Sequence, residues 1–96
     1  MEEESLFDKL NRETAKIEWT ALAPSFAQQR MICVAKGEDL VKVAVAIAED
    51  DAATIKQLQA DNKLYSPSDA DAQRWYDEGA VMWAVVINPW VLAQEA

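Results

Sequence analysis

Ala80-Val81-Met82-Trp83-Ala84-Val85-Val86-Ile87 is an unbroken apolar run, interrupted by Asn88-Pro89 and followed by Trp90-Val91-Leu92-Ala93-Gln94. Its Val and Ile content and its strand-like length fit a central strand covered on both faces. Proline cannot donate to a ladder, so a bulge, an edge or a turn must fall at Pro89 before extended chain resumes at Trp90. The pattern permits either one bent strand or two. Gly79, just before the run, is suited to stop a preceding helix. That helix is expected from Pro67 to about Glu78, with Ser66 as N-cap, Pro67 at the first helical position and Asp69 at the third.

Further toward the amino terminus, Leu6, Phe7, Leu10 and Ile17 recur at helical spacing between charged residues, which predicts an amphipathic helix over Ser5–Lys16. Thr20 is the expected N-cap of a second helix running to about Gln29, with Pro24 near its first turn. Met31-Ile32-Cys33-Val34-Ala35 reads as a buried strand ending at Lys36-Gly37. Leu40–Ala48 alternates Val or Ile with Ala as a strand would. Its length, its Ala content and Asp39 as a cap favour a helix. Asp51 opens another helix carrying Ala52, Ile55 and Leu58, with Asn62 as its stop, and Leu64-Tyr65 makes a short extended segment. The expected fold is therefore α+β: one domain over residues 1–96, with four to five helices packed on a single small sheet of three to four strands.

Composition narrows the functions open to the chain. Its 96 residues carry 17 acidic and 9 basic side chains, for a net charge of −8. Such a surface repels phosphate backbones and anionic membranes, so neither nucleic acid nor a membrane is an expected direct partner. The chain contains no His and one cysteine, Cys33, which excludes an intrachain disulfide, a His-based triad and the paired Cys/His zinc sets. Its two glycines, Gly37 and Gly79, stand too far apart for a phosphate-binding loop or a dinucleotide fingerprint. No cofactor is implied. The acidic start Met1-Glu2-Glu3-Glu4-Ser5 is unlike an export signal, no apolar run is long enough to span a bilayer, and cytoplasmic localisation is expected.

Three constellations are left. Glu49-Asp50-Asp51 supplies carboxylate oxygens of the kind that hold Mg²⁺, although adjacent acids at a helix boundary also serve as caps. The four tryptophans include Trp75 and Trp90, which together with Val91 and Leu92 are the candidate interface residues. A strand near the carboxyl terminus would leave an open edge in so small a sheet, and homodimerisation through Trp90–Gln94 follows as a hypothesis. The leading expectation is a non-enzymatic interaction module that binds a protein partner or itself. A carboxylate-based metal-dependent enzyme or small-molecule binder, and an acidic nucleic-acid mimic, are the alternatives.

The segments Lys9–Trp19, Ala48–Ala53 and Trp83–Glu95 resemble the small bacterial domain-of-unknown-function family 2288 over nearly the whole chain. The resemblance implies a free-standing bacterial protein and brings no activity, substrate, cofactor or catalytic residue. Within those segments Glu13, Lys16, Glu49, Asp50, Asp51 and Trp90 are the positions at which a shared surface would be sought.

Overall fold

The computed structural model describes residues 4–96, and Met1, Glu2 and Glu3 of the acidic start considered above lie outside them. In chain order the elements are α1 (Leu6–Glu13), β1 (Ala15–Glu18), α2 (Trp19–Ala27), β2 (Met31–Val34), α3 (Leu40–Ala48), α4 (Ala52–Ala60), β3 (Leu64–Tyr65), α5 (Asp69–Glu78), β4 (Val81–Ile87) and β5 (Trp90–Glu95). The fold is α+β, and its sheet has five strands rather than three to four, in the order β1-β4-β5-β2-β3. The strand missing from the sequence reading is β1.

Asn88-Pro89 makes the turn of a hairpin, so the carboxyl-terminal apolar stretch is two strands, antiparallel from Ile87 opposite Trp90 to Met82 opposite Glu95. β5 also runs parallel to β2, with Met31 opposite Val91 and Cys33 opposite Ala93. It therefore occupies the middle of the sheet, and its expected role as an open edge is overturned: both of its ladders are already used. Within the described residues the outer strands are β1 and the two-residue β3.

Local chemistry sets most boundaries. In α1, Ser5 Oγ accepts from the Asp8 amide at 3.1 Å. The helix stops at Thr14, whose amide and hydroxyl both donate to the Leu10 carbonyl. It thus ends short of Lys16, and the next residues pair with β4, Ala15 opposite Ala84 through Glu18 opposite Val81. Glu18, not Thr20, is the N-cap of α2 and gives it no side-chain cap bond, while Pro24 lies inside that helix rather than at its first turn. Asp39 caps α3 as expected, accepting from the Val41 and Lys42 amides. The cap of α5 is Ser68, two residues later than expected. Ser68 Oγ accepts from the Asp71 amide at 3.1 Å and Asp71 Oδ2 accepts from the Ser68 amide at 3.0 Å, a reciprocal box that leaves Pro67 outside the helix. Ser68→Ala is expected to lower stability by about 1 kcal/mol, read as an earlier midpoint in urea with an unchanged slope.

Strand alternation sends side chains into two cores. Val34, Leu64, Val85 and Leu92 pack with Leu10 of α1 and with Leu40, Val43 and Ala44 of α3. On the opposite face Met31, Cys33, Met82, Ala84 and Ala93 pack with Trp19 and Leu22 of α2 and Trp75 of α5. The sheet is thus sandwiched between two helix layers. β4 is only partly covered for so apolar a run: Val81, Trp83 and Val86 stay exposed. Among the described residues no helix is long and apolar enough to cross a membrane.

Candidate interaction site at the Trp90 end of the sheet

Several chain reversals meet at the hairpin end of the sheet. α2 closes through Gln29 (φ 59°) and α3 closes through Asp50 (φ 56°), both in the left-handed region. The Val91 amide donates to the Arg30 carbonyl at 2.9 Å, which binds the start of β5 to the entry of β2. Trp90, the first residue of β5, is 39% exposed at this end. On one side of it lies a concavity of about 550 Å³, walled by Ile47, Ile55, Tyr65, Ile87 and Pro89, with Gln29, Asp50, Gln59, Ser66 and Asn88 as polar groups. On the other lies one of about 580 Å³, walled by Phe26, Ala27, Met31 and Pro67 with Asp69. The two share Gln29, Met31, Ser66 and Trp90. Among the described residues neither is lined by Lys or Arg, and their only charged side chains are Asp50 and Asp69.

The four candidate interface residues separate cleanly. Trp90 reaches the surface, Val91 is half-buried, and Leu92 and Trp75 are both 0% exposed inside the subunit. Trp75 packs against Trp19 with the rings tilted by 51° and their centroids 5.2 Å apart. Its indole N–H donates to Glu95 Oε1 at 2.7 Å, and Arg74 Nη1 donates to the same oxygen at 2.8 Å. These bonds, that from Trp75 foremost, hold the Glu95 carboxyl below the usual carboxylate range. A group with a depressed folded-state pKa contributes stability in full above the unfolded value and loses it as pH falls through the folded one. Glu95→Gln is therefore expected to flatten the loss of stability below about pH 5, in urea titrations at neutral and acidic pH.

The acid triplet serves the backbone. Glu49 is the C-cap of α3, and Asp51 caps α4, accepting from the Thr54 amide at 3.2 Å and from its hydroxyl at 2.7 Å. The Thr54 bonds keep the Asp51 carboxyl below its ordinary range. Asp50 alone of the three lines the concavity beside Trp90. Among the described residues no three His, Cys, Asp or Glu side chains gather closely enough to hold a metal ion. Cys33 is buried between the sheet and α5, and desolvation pushes its thiol up to about 12, which keeps it protonated and unreactive. Sequence reasoning passed over Phe26, Tyr65 and Asp69. Each is unremarkable in its own segment, and only the strand order brings their loops together.

Similarity of the whole chain accords with this architecture. The sequence model described as "Protein of unknown function (DUF2288)" matches residues 5–95. The chain belongs to the DUF2288 family. A DUF2288 fold of this kind resembles the NMR solution structure of PA1075 from Pseudomonas aeruginosa, at 37% sequence identity and a TM-score of 0.83, over 94% of this chain and 83% of that one. No curated protein matches the chain. DUF2288 membership thus agrees with the resemblance carried by Lys9–Trp19, Ala48–Ala53 and Trp83–Glu95, and it adds no reaction.

Proposed function

We propose that this protein is a non-enzymatic interaction module of the cytoplasm, a single domain that receives a segment of a basic protein at the Trp90 end of its sheet. The observation that carries the reading is the surroundings of Trp90. A part-exposed indole borders two adjoining concavities with mixed apolar and polar walls, whose charged side chains, among the described residues, are both carboxylates. Large aromatic side chains in such settings dominate protein recognition, because they bury much area at little entropic cost. Asp50 and Asp69, on opposite sides of Trp90, favour Lys or Arg on the incoming segment, and the chain's net charge of −8 steers such a partner toward it.

The test is a random peptide library panned on the whole protein at low salt. Peptides joining an apolar residue to Lys or Arg are expected, and Trp90→Ala should weaken their binding at least about tenfold, as loss of a central aromatic anchor does. The double substitution Asp50→Asn, Asp69→Asn should weaken it less and reduce its salt dependence. If no enriched peptide depends on Trp90, this end of the sheet is not a docking site.

A further inference from the structure

We infer that β1 is a self-pairing edge, through which two copies of this protein join their sheets in one particular register. Within the described residues no strand lies outside β1, and Ala15, Lys16 and Glu18 are exposed. The Trp19 amide donates to the Ala80 carbonyl at 2.9 Å, which fixes the alternation along the β1–β4 ladder. The Trp19 amide and the backbone groups of Ile17 and Ala15 face β4, so both backbone groups of Lys16 and the amide of Glu18 face outward, while the Glu18 carbonyl, at the N-cap, accepts the first bond of α2.

Two copies related by a two-fold axis can therefore pair along this edge in only a few ways. Directly opposed residues in an antiparallel pair must both point their backbone groups inward or both point them away. Centres at Lys16, Ile17 and Glu18 satisfy that condition. A centre at Lys16 sets two ammonium groups face to face, and a centre at Glu18 does the same with two carboxylates. A centre at Ile17 instead places Lys16 against Glu18 of the partner subunit, twice, and at each pair the Glu18 amide can donate to the Lys16 carbonyl across the seam. Opposite charges on facing residues stabilise a sheet and like charges destabilise it, so charge selects the Ile17 register.

Two further observations support this seam. Among the described residues Glu18 makes no side-chain hydrogen bond or ion pair and Lys16 engages only the Trp83 ring, 5.2 Å from its centroid. Both charges are therefore available to a second copy. Beside them on β4, Val81 and Trp83 are 41% and 39% exposed, a patch of apolar surface flanking the edge. Short edge strands commonly carry a lysine that repels any added strand. A Lys and a Glu two residues apart on one face instead admit a single arrangement.

The experiment is sedimentation equilibrium of the whole protein at about 0.1 M salt, which screens the repulsion between two copies of net charge −8, up to about 1 mM, with the charge-reversal variants Lys16→Glu and Glu18→Lys. The wild type should dimerise. Each variant alone should dissociate at least about tenfold more readily, since all its facing pairs are of like sign. An equimolar mixture of the two should associate again, because every facing pair in the mixed dimer is of opposite sign, and the doubly reversed chain should dimerise by itself. A wild type that stays monomeric at that concentration overturns the inference. So does a dimer indifferent to either reversal, or one lost on Trp90→Ala and kept in Lys16→Glu.

Discussion

Trp75→Ala is expected to be among the most damaging single substitutions in this chain, lowering the free energy of unfolding by about 3–5 kcal/mol. Trp75 is fully buried, lies against Trp19, and satisfies its indole N–H on Glu95. Truncation opens a cavity between α5 and the sheet and takes from Glu95 one of its two donors. Domains of this size are stable by about 5–15 kcal/mol, so the variant retains at best part of its folded population near physiological temperature. Each kcal/mol moves the melting temperature by about 4–8 °C in a chain of this length, and calorimetry reads the effect directly. Trp90→Ala is the matched contrast. It removes a tryptophan from the rim of an open concavity, so stability should change far less while binding at that end is lost. Equal destabilisation by the two substitutions would contradict their different burial.

Leu92→Ala is expected to cost about 2–5 kcal/mol, the range for a leucine removed from a packed core. Leu92 stands in the middle strand, opposite Val85 on one side and Ile32 on the other, and packs beneath the layer formed by α1 and α3. No rearrangement of a single helix can fill the space, because both neighbouring strands hold the backbone in place. Denaturant titration should show an earlier midpoint and an unchanged slope, as for loss of packing without a change in the surface exposed on unfolding. Together with Trp75→Ala, this would establish that two of the four residues expected at an interface act within the subunit.

The parts legible in the sequence are those decided by neighbours in the chain. Asp39 announces α3 because its carboxylate reaches amides two and three residues ahead, and Gly79 ends α5 at φ 60°, where a side chain would strain the backbone. The run Ala80–Ile87 reads as a strand because little else suits so many adjacent apolar residues. β1 was hidden because Ile17 continues the helical spacing of Leu6 and Leu10. What makes Ala15–Glu18 extended is the ladder offered by β4, remote in sequence, which overrides local preference. The place of β5 is hidden for the same reason: strand order is a property of the whole chain. Of the candidate site, Trp90 was legible from its residue type and the adjacent proline. Asp69, Tyr65 and Phe26 were not, since they belong to it only through the packing of separate loops.

The central position of β5 also bears on how the chain folds as it leaves the ribosome. Of the five strands, the one joining the two halves of the sheet is the last to be synthesised. Until Trp90–Glu95 emerges, β1 with β4 and β2 with β3 have no strand between them, and Met31, Ile32 and Cys33 lack their partners on β5. Contacts of such long sequence separation form slowly, because loop closure must precede them. A nascent chain stalled before Trp90 thus exposes the inner edges of β2 and β4, and the window for chaperone capture or aggregation closes only when the final strand inserts.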